Sequence, residues 1–209
     1  MLFGGYQPFT LSDYPACVAA IAFAQGCNFR CRFCHNGGLL PLTPLNSPVM
    51  TSDDILGQLE GRRGKLDGLV VSGGEPTIQA DLPDFITRVK EMGFKVKLDT
   101  NGSRPEVLDY LLHRRLLDYI AMDVKTSFEN YSRLCGVEVS TAAIEESIGL
   151  IAASGIPHHF RTTFGLPLMS DDDLAMLKSC IPSCSKHVVQ DFKPTHALDP
   201  ELRRPAYAC

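Results

Sequence analysis

No apolar run in this 209-residue sequence reaches the length of a bilayer-spanning helix, which excludes that class of membrane protein. The opening stretch, M-L-F-G-G-Y-Q-P-F-T, lacks the basic region and apolar core of a secretory signal, so a cytoplasmic location is expected. Positive charge is not in excess either. A formal net charge of -4 removes the general electrostatic reason to bind nucleic acid or an acidic membrane surface. No low-complexity tract divides the chain, and its length suits one full-sized core. A single domain over 1–209 is expected, with an irregular, proline-rich tail from about residue 194. The chain is not short of cysteine, with eight. At 44% hydrophobic content it needs no disulfide framework, and a reducing compartment fits best.

Three of those cysteines lie together in G-C-N-F-R-C-R-F-C-H-N, at Cys27, Cys31 and Cys34. Thiolates prefer soft metals, so an x3, x2 cluster of thiols after an apolar strand points to an iron–sulfur site. Three protein thiolates leave one iron of a four-iron cube without a protein ligand, and a substrate or cofactor can bind there. Zinc held by Cys27, Cys31, Cys34 and His35 also satisfies four-coordination on paper. Against it, adjacent ligands such as Cys34 and His35 rarely converge on one ion. Inert buried thiols are the third reading, and they account poorly for three cysteines in eight residues.

Elsewhere the chain alternates strand and helix. Strands are expected at Cys17–Ala24, Gly68–Ser72, Phe94–Leu98, Tyr119–Met122, His159–Phe164 and Lys186–Phe192. Helices are expected after the cap at Thr51–Asp54, over Leu82–Met92 with Pro83 near its start, from Pro105, over Thr141–Ala153, and after the cap at Ser170–Asp173. Leu39–Met50, with three prolines, reads as a loop. Six strands joined by helical crossovers give an α/β fold with a largely parallel sheet. Six units are too few for the usual closed eight-unit barrel, so a partial (β/α)6 barrel is expected, with a doubly wound sheet as the alternative. The polar signatures S-G-G-E-P, D-T-N-G and D-V-K all follow strands, at the carboxyl ends where α/β active sites form.

With those motifs in hand, the chain resembles the radical S-adenosylmethionine enzymes. The resemblance rests on C-N-F-R-C-R-F-C followed by S-G-G-E-P after the second strand. It is similar, more narrowly, to the activating enzymes of glycyl-radical proteins, and nearest to the anaerobic ribonucleoside-triphosphate reductase activating proteins. Supporting strings are L-S-D-Y-P, K-L-D-T-N-G-S, Y-I-A-M-D-V-K and D-F-K-P-T-H-A-L-D-P. The resemblance implies a radical-SAM-type barrel in which Cys27, Cys31 and Cys34 hold a [4Fe-4S] cluster and S-adenosylmethionine binds the remaining iron. It implies that Gly73 and Gly74 meet the methionine amino group through their backbone, with Glu75 as acceptor for that ammonium. Asp99, Thr100 and Asp123 would border the methionine carboxylate and, with backbone carbonyls, hold a monovalent cation. Lys125 would face the carboxylate or ribose. Alternation along the fifth strand, apart from the resemblance, turns Arg161 and Thr163 to one side, where they are expected to line the same cavity.

Each assignment has a plainer alternative. Gly73-Gly74 can be a tight turn, Asp99 and Asp123 can cap helices, and Arg161 can sit at the rim. His196 follows the last strand, where some relatives place a ribose-facing histidine, and it can equally be a surface residue. His35 and Asn36 flank the cluster loop. Between the first motif and the second strand the chain is short and lacks cysteine, so no ferredoxin-like insert is expected. Cys180-x3-Cys184 reads as two thiols without metal, with an accessory site that draws on Cys209 as the remote alternative.

The resemblance implies an enzyme that takes an electron from flavodoxin or ferredoxin and abstracts hydrogen from a glycine of an anaerobic ribonucleotide reductase. Radical chemistry on a small molecule, such as a deazapurine precursor, and a zinc-bound interaction module are the alternatives.

Overall fold

In the computed structural model, residues 1–43, 49–166 and 168–203 are described. One eight-stranded sheet begins with β3 (Met50–Thr51) at one edge and β1 (Leu2–Thr10) beside it, and continues in the order β2-β4-β5-β6-β7-β8. Its parallel part is β2 (Ala19–Ala24), β4 (Gly68–Gly73), β5 (Lys95–Thr100), β6 (Tyr119–Asp123), β7 (His158–Phe164) and β8 (Lys186–Asp191). These are the six expected strands, with ends moved by a residue or two. The sheet is open, with β3 and β8 at its edges, and its parallel strands follow chain order with no reversal, so the partial barrel stands and the doubly wound alternative does not.

Helices α1 (Ser52–Glu60), α2 (Leu82–Glu91), α3 (Pro105–His113), α5 (Thr141–Ala153) and α6 (Asp171–Cys180) occupy the expected crossovers. Their starts follow from side-chain chemistry. Thr51 and Ser170 each form a reciprocal capping box with the aspartate three residues on, Asp54 and Asp173.

Three elements depart from expectation. The opening stretch, read only for its lack of a signal, forms strand β1 (Leu2–Thr10), antiparallel to β2. The last residue of the expected loop, Met50, and the cap residue Thr51 form the short strand β3 (Met50–Thr51) beside β1. Positions 44–48 of that loop lie outside the described residues. A five-residue helix, α4 (Tyr131–Cys135), follows β6. The expected irregular tail holds two single turns of 3-10 helix, Pro194–His196 and Pro200–Arg203, within its described part.

Period-two alternation divides the sheet's residues between two environments. On the outer face Ala20, Ala22, Leu69, Val71, Val96, Leu98, Ile120 and Phe160 join the main core under the helices. On the inner face Ala19, Ile21 and Val70 pack with Tyr14, Phe23 and Tyr119 in a smaller cluster. Strand β2 is buried on both faces, which is why it reads as a continuous apolar run. Further along the strands the inner face turns polar, with Ser72, Asp99, Asp123 and Arg161.

Candidate active site

Strand ends and two loops enclose a cavity of about 360 Å³ at the carboxyl end of the parallel strands. Cys27, Cys31 and Cys34 line one side of it. Gly73, Gly74 and Glu75 line the floor after β4, and Asp99 and Thr100 line the end of β5. Asp123 and Lys125 follow from β6, and Arg161 from β7. Every residue singled out for the cluster and the cofactor therefore meets in one space. His35, Asn36 and Thr163 border it as well. His196 does not; it is exposed on the 3-10 turn after β8.

Backbone contacts fix the two loops against each other. The Glu75 N–H donates to the Gly26 carbonyl (2.8 Å) and the Gly74 N–H to the Ala24 carbonyl (2.9 Å). Such closeness requires glycine. A Cβ on Gly74 would lie 2.0 Å from the Gly26 oxygen, and Gly73 sits at φ +114 with Ala24 backbone 2.5 Å from where its Cβ would be. The G-G pair is thus the seam between cysteine loop and β4, not merely a turn. On the other side, the Arg30 N–H donates to the Cys135 carbonyl (2.8 Å), so α4 braces the cysteine loop.

Glu75 is 1% exposed. Its Oε1 accepts from Thr77 N (3.1 Å), Thr77 Oγ1 (2.6 Å) and Thr100 Oγ1 (2.7 Å). Its Oε2 accepts from the Asn101 N–H at 2.6 Å and from no other described group. Burial pushes the Glu75 pKa up, while the bonds from Thr77, Asn101 and Thr100 pull it down. One oxygen is thus saturated, and the other keeps accepting capacity for an ammonium.

A charge network spans β5, β6 and β7. Arg161 Nε donates to Asp123 Oδ1 at 2.5 Å, and Lys125 Nζ to Asp123 Oδ2 at 2.9 Å. Burial disfavours the Asp123 carboxylate, but Lys125 and Arg161 outweigh it and hold its pKa well below the usual range. Lys125 in turn loses stabilisation to burial and regains more from Asp123 and Cys31, so its pKa is raised. Asp99 accepts from Ser72 Oγ (3.1 Å), lies 3.7 Å from an Arg161 nitrogen, and is ion-paired with Lys97. Neither aspartate caps a helix. Lys97, which looks in the sequence like part of an ordinary strand, is 2% exposed.

The thiols suit a cluster better than a single ion. Among the described residues no group of three or more His, Cys, Asp or Glu converges as one metal ion requires. Three irons of a cube need no such convergence, because each takes its own thiolate. His35 is engaged elsewhere: its Nε2–H donates to the Lys193 carbonyl (2.7 Å) and its ring stacks on Phe192. The zinc alternative therefore has no support in the geometry. Burial pushes the Cys27 thiol up to about 11, a cost that metal binding must overcome by displacing the proton. A hydrogen bond with the buried Cys135 thiol, and then the Lys125 charge, lower Cys31 against the opposing effect of burial. Cys180 Sγ donates to the Met176 carbonyl (3.4 Å) and Cys184 is exposed, while Cys209 lies outside the described residues.

A sequence profile of the Radical SAM superfamily matches residues 21–180, more than half of the chain. A Methanocaldococcus jannaschii protein provisionally named a glycyl-radical enzyme activating enzyme is 34% identical over 209 residues, covering 97% of this chain and 85% of its own length. A Thermococcus kodakarensis protein provisionally named a GTP 3',8-cyclase is 31% identical over 134 residues, covering 63% of this chain and 42% of its own. Among solved structures, Streptococcus suis SuiB bound to its precursor peptide SuiA superposes with a TM-score of 0.63 at 16% identity. That likeness covers 84% of this chain and 39% of SuiB, and it speaks to the fold alone. No helix among the described residues is long and apolar enough to cross a membrane.

Proposed function

We propose, for a chain that belongs to the Radical SAM superfamily, that it is a glycyl-radical enzyme activating enzyme. Its cofactors are those of the superfamily, a [4Fe-4S] cluster and S-adenosylmethionine. When bound and reduced, the pair supplies a carbon-centred radical that can abstract hydrogen from a substrate.

In this reading the chain's own residues bind, orient and shield. Cys27, Cys31 and Cys34 hold the cluster, and α4 keeps their loop in place. Glu75 Oε2 accepts from the methionine ammonium beside the backbone of Gly73 and Gly74. Asp99, Thr100 and Asp123 shape the region of the methionine carboxylate, and Lys125 and Arg161 give it positive potential. The protein contributes position and exclusion of water, and the cofactors contribute the hard chemistry.

The observation that carries the activating assignment is the match to the M. jannaschii protein, which extends over 97% of this chain and 85% of that one. The substrate we assign is a glycine-bearing loop of an anaerobic ribonucleotide reductase, with a flavodoxin or ferredoxin as electron donor. Mixing the reduced, cluster-loaded protein with S-adenosylmethionine and that reductase should give a glycyl-type doublet in the electron paramagnetic resonance spectrum. The shorter likeness to the T. kodakarensis protein favours a second reading, radical chemistry on a small molecule. Catalytic conversion of a small metabolite, with no glycyl signal on any candidate protein partner, decides for that second reading.

A further inference from the structure

Lys97 stands where nothing in the motif requires a charge. It sits on the inner face of β5, in register with Val70 of β4 and Tyr119 of β6. Those neighbours belong to the small apolar cluster, and Lys97 is 2% exposed. A buried ammonium among apolar side chains is costly unless paired. Its partner is Asp99, two residues along the same face.

The whole network can be counted by oxygen. Asp99 Oδ1 is taken by Lys97, and Asp99 Oδ2 by Ser72 with Arg161 nearby. Asp123 Oδ1 is taken by Arg161 and Oδ2 by Lys125. Each of the four oxygens already has a cationic or hydroxyl partner. Three cations, Lys97, Lys125 and Arg161, face two carboxylates, Asp99 and Asp123. Glu75, the third carboxylate of the cavity, is held apart by Thr77, Thr100 and Asn101, so the network offers a free metal cation no unpartnered carboxylate oxygen.

We infer that Lys97 is a tethered replacement for a free monovalent cation: its ammonium neutralises Asp99, so the cavity binds S-adenosylmethionine without sodium or potassium. Lys97 is a positioning residue, acting on the cofactor through Asp99 and Arg161. The inference rests on superfamily membership for the presence of S-adenosylmethionine. It does not rest on the identity of the radical's acceptor.

The test compares potassium, sodium and tetramethylammonium chlorides at equal ionic strength. Two readouts are taken: S-adenosylmethionine binding by the cluster-loaded protein, and thermal melting of the metal-free full chain. Wild type should bind equally in all three salts and melt at one temperature. Lys97→Met should bind about tenfold more weakly in tetramethylammonium. Potassium or sodium should recover most of that loss and raise the variant's melting temperature selectively. Lys97→Met/Asp99→Asn, which removes both charges together, guards against a folding failure and should melt without any cation response. A wild-type requirement for potassium or sodium overturns the inference. So does a Lys97→Met protein that binds and melts alike in every salt. A wild type that binds no S-adenosylmethionine in any salt fails the cofactor reading instead, and the melting arm still judges the cation.

Discussion

Asp123→Asn offers a direct measure of how the charge network contributes to the fold. The carboxylate holds Arg161 and Lys125 on its two oxygens, at 2.5 and 2.9 Å. Asparagine is neutral and must turn an N–H toward one of those cations. Removing one partner of a fully buried pair costs about 3–5 kcal/mol. Here the side chains keep some water, with Asp123 26% exposed, Arg161 24% and Lys125 16%. Screening lowers the expected cost to about 2–3 kcal/mol. For a chain of this size that is a fall in melting temperature of roughly 4–12 °C at neutral pH. The sign with pH follows from linkage. The folded-state pKa of Asp123 is depressed below its unfolded value, so its contribution is complete above about pH 4 and fades as pH falls further. Urea unfolding of the metal-free wild type and variant, at pH 7 and at steps down to about pH 3, reads both effects. The gap should be widest at neutral pH and narrow below about pH 4. Equal stability at pH 7, or a gap undiminished in acid, refutes the reasoning.

Other perturbations follow from single contacts. Gly136→Ala, at φ +67 with its new Cβ 2.5 Å from the Arg30 carbonyl oxygen, should destabilise the fold by about 1–3 kcal/mol and lower iron retention after anaerobic desalting. Iron content and melting temperature equal to wild type would show that α4 does not brace the cysteine loop. Thr100→Val removes the donor to Glu75 (2.7 Å) and the acceptor for the Gly102 N–H (3.1 Å), a loss of about 1–3 kcal/mol by denaturant unfolding. An unchanged midpoint would mean those groups find other partners. Anaerobically reconstituted protein should carry about four irons per chain, and Cys34→Ser should fall well short of that by iron and sulfide analysis. Stoichiometric zinc in their place would restore the single-ion reading.

What the sequence disclosed, and what it hid, divides along physical lines. Strands β2 and β4 were legible because burial on both faces leaves continuous apolar runs, whereas the edge strand β8 has no buried residue and shows no such run. The cysteine loop and G-G-E were legible because metal chemistry and close backbone approach admit few residue types. Strand β1 was hidden. L-F-G-G-Y-Q-P-F-T holds two glycines and a proline, and three successive residues, Gln7 to Phe9, are exposed, so neither apolar run nor alternation marks it. It is held by pairing with β2, a tertiary cause that no local window contains. Helix α4 was hidden because five residues without a side-chain cap carry no period. Its value lies in the backbone contact from Cys135 to Arg30, across a wide gap in sequence.

Lys97 is the instructive omission. In F-K-V-K-L the two lysines look alike, each flanked by apolar residues as on any half-solvated strand. The parity of Asp99 separates them. A strand turns every second residue to the same face, so whichever face takes Asp99 into the cavity takes Lys97 toward the interior behind it. Lys95 shares that parity but lies at the start of the strand, where it is exposed. Depth along the strand, not alternation alone, decides which lysine is desolvated. A lysine two residues before a site aspartate, on a strand flanked by buried ones, is therefore a candidate ion pair from sequence. The same reasoning reaches Arg161, which is in register with Asp123 across β6 and β7. Registered neighbours on parallel strands share a face, so opposite charges at the carboxyl ends of adjacent strands meet by construction. The pairing of Arg161 with Asp123 is set by backbone register, and it is present before any cofactor binds.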